Sequence, residues 1–200
     1  MTLSVYKITA FDAIFHAMNS FERDYIDEPV YFRSHHSCKI VDAESGSESM
    51  SQVLVLNGPN LNLLGNREPD KYGKLTLADV ESSLRDQANE LGTSIDFYQS
   101  NSEGMLIDRV QHAAREGTEV AIVNPAGYSH TSVALRDAFL GVSLPFYEVH
   151  VSNIYRRESF RHHSYFSDIA IATLAGFGAM GYNMALSAAV AHLASLSNTD

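Results

Sequence analysis

Two hundred residues, 45% of them hydrophobic and 19% charged, suffice for one sizeable core. The formal charge of −10 excludes broad binding to nucleic acid or anionic membrane, since both need a surplus of Lys and Arg. The single cysteine, Cys38, cannot form an intrachain disulfide, and no apolar stretch runs beyond about 18 residues without interruption, so a cytoplasmic location without a membrane span is the default.

Residues 1–49 mix aromatics with acids and end in the polar run Asp42-Ala-Glu-Ser-Gly-Ser-Glu-Ser, which reads as a linker. They carry neither the apolar core of a signal peptide nor the acid-poor composition of a transit peptide. The folded unit is expected to begin at Met50, with 1–49 an extension that is poorly ordered or foreign to the native fold and 50–200 the main domain.

From Ser51 onward, short aliphatic runs alternate with helical periodicity, the mark of a parallel sheet covered on both faces. Gln52–Asn57 is the first strand. A long loop follows. Thr76–Leu91 sets Leu77, Val80, Leu84, Ala88 and Leu91 on one helical face, opened by the capping pair Thr76 and Asp79 and stopped by Gly92. Ser94–Tyr98, Glu119–Val123, Pro145–Val149 and Ile169–Ala175 are further strands; Glu103–Glu116, Thr131–Leu140 and a glycine-interrupted Phe177–Leu196 are further helices. The pattern predicts a flavodoxin-like three-layer α/β sandwich with a five-stranded parallel sheet.

Ligands of such sheets bind at the carboxyl ends of the strands. Here those ends carry Asn57 and Asn60, then Asn101, then Asn124 and His130, then Glu148 and His150. A lone Asn is commonly a turn cap, but four strand ends with amide or imidazole side chains point to a site. The loop after the first strand, Asn57-Gly-Pro-Asn60-Leu-Asn-Leu-Leu-Gly-Asn-Arg67-Glu-Pro-Asp-Lys-Tyr72-Gly73, exceeds the roughly 12 residues at which structureless loops become functional or disordered. It lacks the Gly-Lys-Ser/Thr ending of a phosphate cradle.

Two rival motifs fail. Gly176-Phe-Gly178-Ala-Met-Gly181 satisfies the dinucleotide-binding string, but no further strand bearing an acid follows to hold a ribose, and glycines that let a closing helix pack closely are the better reading. His162 and His163 are adjacent, with no carboxylate or thiolate at a recurring ligand spacing, so no metal site is expected.

The first-strand loop, with Arg-Glu-Pro and Tyr-Gly, resembles the opening signature of type II 3-dehydroquinate dehydratases. Asn124-Pro-Ala-Gly-Tyr-Ser-His130-Thr-Ser-Val-Ala-Leu-Arg136-Asp137 resembles that family's second block. Glu148-Val-His150-Val-Ser152-Asn153, with Arg157 and Arg161 beyond, resembles the third. The similarity covers essentially the whole chain after Met50. Its departures, the Ala126-Gly127 order, Tyr155-Arg156 and Ser159, avoid the positions expected to perform chemistry.

The resemblance implies a cofactor-free lyase of the shikimate pathway, serving chorismate and aromatic amino acid biosynthesis, that converts 3-dehydroquinate to 3-dehydroshikimate by trans-dehydration through an enolate. Tyr72 is then the base, as a tyrosinate. An unperturbed phenol ionises near pH 10, and roughly 2.7 kcal/mol of preference for the anion moves this down by about two pH units. A guanidinium at about 4 Å supplies on the order of 4 kcal/mol at an effective dielectric near 20, so Arg67 suffices. His150 is the acid, because histidine changes charge near neutrality, and Glu148, two residues away on the same strand face, orients its ring. Asn60 holds a water against the enolate. Asn124, His130 and Arg161 bind ring hydroxyls, and Val151 and Ser152 offer backbone donors to the carboxylate. Glu68 and Arg157 join Arg67 and Tyr72 in a lid, and Asp137 reaches the site of a neighbouring subunit. That role implies a homo-oligomer, by resemblance a dodecamer built as a tetramer of trimers. The alternatives are quinate catabolism by the same step, or a flavodoxin-like protein that binds the ligand without catalysis.

Overall fold

The computed structural model describes residues 53–65 and 75–197. The expected extension 1–49 and the loop residues Arg67, Glu68 and Tyr72 lie outside them.

Five parallel strands make the central sheet in the order β2-β1-β3-β4-β5. They are β1 Val53–Asn57, β2 Ile95–Gln99, β3 Val120–Asn124, β4 Phe146–His150 and β5 Ala172–Ala175. This is the flavodoxin-like order. Among the described residues four α-helices cover the two faces: α1 Leu77–Glu90, α2 Glu103–Arg115, α3 Val133–Val142 and α4 Met180–Ser197. Among the described residues no helix is long and apolar enough to cross a membrane.

Strand alternation distributes the core between two layers. Val53 and Val55 of β1 pack with Val80, Leu84 and Ala88 of α1 and with Tyr182, Ala185 and Leu186 of α4. Leu54 and Leu56 face the other way, toward Leu106 and Val110 of α2 and Leu135 and Phe139 of α3. Each fully buried aliphatic of this kind contributes roughly 1.5–3 kcal/mol. On β4, Tyr147 and Val149 join the first layer and Phe146 the second. Glu148 and His150 therefore fall on the same side of the sheet as Phe146.

The capping pair of α1 closes as expected. Thr76 Oγ1 accepts from the Asp79 amide at 3.2 Å, and Asp79 Oδ2 accepts from the Thr76 amide at 2.8 Å. Three expectations need correction. The helix expected from Thr131 begins at Val133, because Ser132 caps it by accepting from the Leu135 amide at 2.9 Å, and Ala126–His130 forms a separate 3-10 turn. The last strand is confined to Ala172–Ala175, since the amides of Ile169 and Ala170 turn back to the Phe166 carbonyl. The closing helix begins at Met180 rather than Phe177, so Gly178 precedes it and Gly181 falls in its first turn. Gly176 has φ 90°, and a Cβ there would lie 2.9 Å from the Asn153 Cβ, so its close contact is with the loop after β4.

At the other end of the site, Gly58 carries the chain off β1 against the end of β3. Its amide donates to the Asn124 carbonyl at 2.8 Å, and an added Cβ would collide with the Pro125 carbonyl. The absence of a side chain at position 58 thus lets the loop bearing Asn60 close over the β3 turn.

Candidate active site

The carboxyl ends of β1, β3 and β4 open on a cavity of about 480 Å³, within the range of small-molecule sites. Asn60, Leu61, Leu63 and Leu64 form one wall, Asn124 and the 126–131 turn another, and His150 through Ile154 with Arg157 and Arg161 the rest. The described part of the first-strand loop leaves the cavity wall at Leu64.

Asn60 is held by its backbone. At φ 67° it adopts the left-handed conformation that Asn tolerates, and its amide donates to Asn101 Oδ1 at 2.9 Å. Asn101 is absent from the cavity wall; it anchors the residue that lines it. Asn57 is likewise structural, fully buried, with Nδ2 donating to the Tyr98 carbonyl at 3.3 Å.

The amide of Asn124 has a fixed orientation. Its Oδ1 accepts from the Ala126 amide at 3.2 Å, and its Nδ2 donates to the Tyr182 hydroxyl at 2.8 Å. That hydroxyl in turn donates to Asn57 Oδ1 at 2.7 Å. Burial pushes the Tyr182 phenol far above the ordinary tyrosine range, so it stays a neutral donor and acceptor. Tyr182→Phe leaves two buried amides each short of one partner and is expected to lower stability by about 1–3 kcal/mol. Denaturant unfolding checks this: a midpoint equal to that of the unaltered chain would remove the relay.

His130 has one tautomer that satisfies its surroundings. The Ser129 hydroxyl donates to the Ala126 carbonyl at 2.9 Å, so its oxygen is free to accept from His130 Nδ1–H, also at 2.9 Å. Nε2 is then a bare acceptor suited to a ligand hydroxyl. Burial, reinforced by the charges of Arg161, His150 and Arg157, lowers the His130 pKa, which keeps the ring neutral at pH 7.

Glu148 and His150 form the electrostatic centre. His150, 6% exposed, lines the cavity, while Glu148, 0% exposed, lies behind it. His150 Nε2 and Glu148 Oε1 are 2.7 Å apart. Burial pushes the Glu148 carboxyl up, but the bond and charge of His150 and the hydroxyls of Ser164 and Ser167 outweigh it, leaving the pKa below the ordinary carboxylate value. A depressed folded-state value means that ionised Glu148 favours the fold above the ordinary carboxylate range, a contribution lost as pH falls through the depressed value. With Glu148 accepting the Nε2 proton, Nδ1 is the ring nitrogen left for a ligand.

Arg157 and Arg161 bring positive charge to the cavity rim. Glu158 holds Arg161 Nε at 2.8 Å, and the Arg161 guanidinium carbon lies 4.9 Å from the Phe160 ring centroid. Val151 and Ser152 line the same wall. Asp137 does not. It is exposed on α3 beside a separate groove formed with Gln111, Ala114 and Arg115 of α2.

The cavity thus gathers Asn60, Asn124, His130, His150, Val151, Ser152, Arg157 and Arg161, with Glu148 directly behind. Sequence reasoning missed the residues that fix these groups: Ser129 behind His130, Tyr182 behind Asn124, and Ser164, Ser167 and Thr173 around Glu148. The one available signal was register, since Thr173 on β5 is the direct partner of Glu148 on β4. Among the described residues no group of three His, Cys, Asp or Glu side chains is placed to hold a metal ion.

Fold and site together define a flavodoxin-like α/β protein with a polar small-molecule cavity at the carboxyl ends of its strands and a buried carboxylate–imidazole pair in that cavity's wall. The chain belongs to the class II dehydroquinase family, whose sequence profile matches residues 51–190. It is 60% identical over 140 residues to a 3-dehydroquinate dehydratase of Bordetella avium, covering 70% of this chain and 97% of the relative. It is 58% identical over 149 residues to the enzyme of the same name from Idiomarina loihiensis, covering 74% of this chain and 96% of that one. In three dimensions it matches the crystal structure of a type II dehydroquinase from Propionibacterium acnes with a TM-score of 0.67 at 43% identity, covering 71% of this chain and 98% of that one.

Proposed function

We propose that this chain is a hydro-lyase that converts 3-dehydroquinate to 3-dehydroshikimate without a cofactor, the dehydration step of the shikimate pathway. The observation that carries the reading is the Glu148–His150 pair, buried at the back of a cavity whose other polar groups suit a hydroxylated carboxylate. Family membership and the names of the relatives, matched over nearly their whole length, support the substrate.

Tyr72, as tyrosinate beside Arg67, removes the proton next to the ketone. The enolate oxygen is met through a water held by Asn60, an amide that donates without changing charge. His150 gives a proton to the departing hydroxyl, and Glu148 orients it and balances its charge. Asn124, the bare Nε2 of His130 and Arg161 hold ring hydroxyls; Val151 and Ser152 take the carboxylate. Glu68 and Arg157 act with Arg67 and Tyr72 as the lid. Asp137, exposed and remote from its own chain's cavity, completes the site of a neighbouring copy, in a homo-oligomer proposed to be a tetramer of trimers.

Loss of water conjugates a carbon–carbon double bond with a carbonyl, so the product absorbs in the ultraviolet where the substrate does not. Purified protein with 3-dehydroquinate is expected to give a steady absorbance rise; a flat trace would remove the assignment. Borohydride added during turnover is expected to leave the protein mass unchanged, whereas a stable adduct would indicate an imine on lysine and a different chemistry.

A further inference from the structure

Glu148 occupies a position in the second core layer that an aliphatic residue would ordinarily fill, with no solvent exposure. A buried carboxylate is expensive unless its lone pairs are met by donors. Four donors converge on it. Oε1 accepts from His150 Nε2 at 2.7 Å and from Ser164 Oγ at 2.5 Å. Oε2 accepts from Ser167 Oγ and from Thr173 Oγ1 at 3.2 Å. Two oxygens with four bonds is the full acceptor capacity of an ionised carboxylate. All three hydroxyls donate, and a protonated Glu148 would have to turn its own hydrogen toward one of them.

The three come from different places in the chain. Ser164 and Ser167 stand on the turn that leads to β5, fixed where the Phe166 amide donates to Ser164 Oγ at 3.1 Å. Thr173 reaches across from the register partner of Glu148. The remaining surroundings are apolar or engaged elsewhere: Val123 is the register partner on β3, Phe139 and Phe166 pack in the same layer, and Arg136 of α3 is paired with Asp168. The charge of His150 also bears on His130, across the cavity wall. Among the described residues, His150 is the sole ion-pair partner of Glu148.

We propose that Ser164, Ser167 and Thr173 are positioning residues that hold Glu148 as an anion and thereby fix the His150 ring with Nε2–H toward Glu148, so that in the imidazolium form Nδ1–H gives its proton to the leaving hydroxyl. The catalytic part of this rests on the dehydratase reading above. The clamp itself does not, because the ionisation of Glu148 can be followed without substrate. Losing a donor to a carboxylate makes the carboxylate easier to protonate. As pH falls, a weakened clamp therefore neutralises Glu148 earlier and releases the ring.

The test uses the full chain, with Ser167→Ala as the first variant because its hydroxyl has no other bond in the network around Glu148. Thr173→Val, close to isosteric, is the second should Ser167→Ala fail to fold. Two readouts are taken: the pH profile of kcat/KM on 3-dehydroquinate, and the carbon-13 carboxyl signal of Glu148 in ligand-free protein, assigned by its loss in Glu148→Gln. Each hydroxyl deletion is expected to raise the Glu148 titration and the acid limb of the profile together by about one pH unit. KM should change less than kcat, and Ser167→Thr should restore the profile. A Glu148 titration that stays in place in Ser167→Ala, Thr173→Val and the double variant would overturn the clamp whatever the activity. An unaltered chain that does not turn over 3-dehydroquinate, with the titration displaced as expected, would overturn the dehydratase reading and leave the clamp standing.

Discussion

Tyr72→Phe is expected to lower kcat on 3-dehydroquinate by roughly 10²- to 10⁴-fold, the usual contribution of a positioned general base. Phenylalanine keeps the ring and its packing and removes only the oxygen that takes the proton. Binding should change little: a ligand held by Asn124, His130, Arg161 and the backbone at Val151 and Ser152 keeps those contacts, and its Kd is expected to stay within a few-fold. Arg67→Ala should act through the same oxygen, because without the guanidinium a phenol returns toward ionisation near pH 10. The deficit of that variant should therefore shrink as pH rises, while that of Tyr72→Phe should not. Steady-state kinetics across pH, with calorimetric binding, separates the two; near-normal turnover in Tyr72→Phe would remove it as base.

His150→Ala is expected to have an effect of similar size, roughly 10²- to 10⁴-fold on kcat. The reason is geometric. His150 lies in the cavity wall with Nε2 committed to Glu148 at 2.7 Å, and among the described residues no other imidazole there has a carboxylate behind it. His130 cannot take over, since its Nδ1–H is bound to Ser129 and its environment favours the neutral ring. Truncation also strands Glu148 as a buried anion short of one donor, and leaving a buried acceptor unmet typically costs about 1–3 kcal/mol or more. A drop in thermal stability should accompany the loss of rate. Glu148→Gln, which keeps the shape, separates charge from packing: its amide must point donor hydrogens at hydroxyls that already donate. Recovery of near-full activity in Glu148→Gln would show that orientation by the anion is dispensable.

The five parallel strands and most of the helices were legible in the sequence because each rests on a local and periodic cause. Val53–Asn57 is aliphatic without a break since both its faces are covered, and Thr76 with Asp79 announces a helix start through bonds made within three residues. Glu148 and His150 could be paired in advance because a strand places i and i+2 on one face. The start of α3 at Val133 rests on a side-chain cap by Ser132, and the turn that shortens β5 on backbone bonds to the Phe166 carbonyl, neither of which periodicity ranks. The supports of the site were out of reach for a further reason. Tyr182 meets Asn57 across 125 residues and Asn124 across 58, and Ser164 meets Glu148 only because a turn folds back under β4. Such contacts are set by tertiary packing, and a serine in the run His162-His-Ser-Tyr-Phe-Ser carries no mark of the carboxylate it serves.

The central claim is that two different groups handle the two protons, a phenolate removing one beside the ketone and His150 delivering the other. Proton NMR of 3-dehydroquinate incubated in deuterium oxide with His150→Ala, and separately with Tyr72→Phe, tests it most directly. The account predicts that His150→Ala exchanges the proton beside the ketone for deuterium far faster than it forms product, and that Tyr72→Phe does neither. Exchange persisting in Tyr72→Phe, or vanishing together with dehydration in His150→Ala, would contradict it.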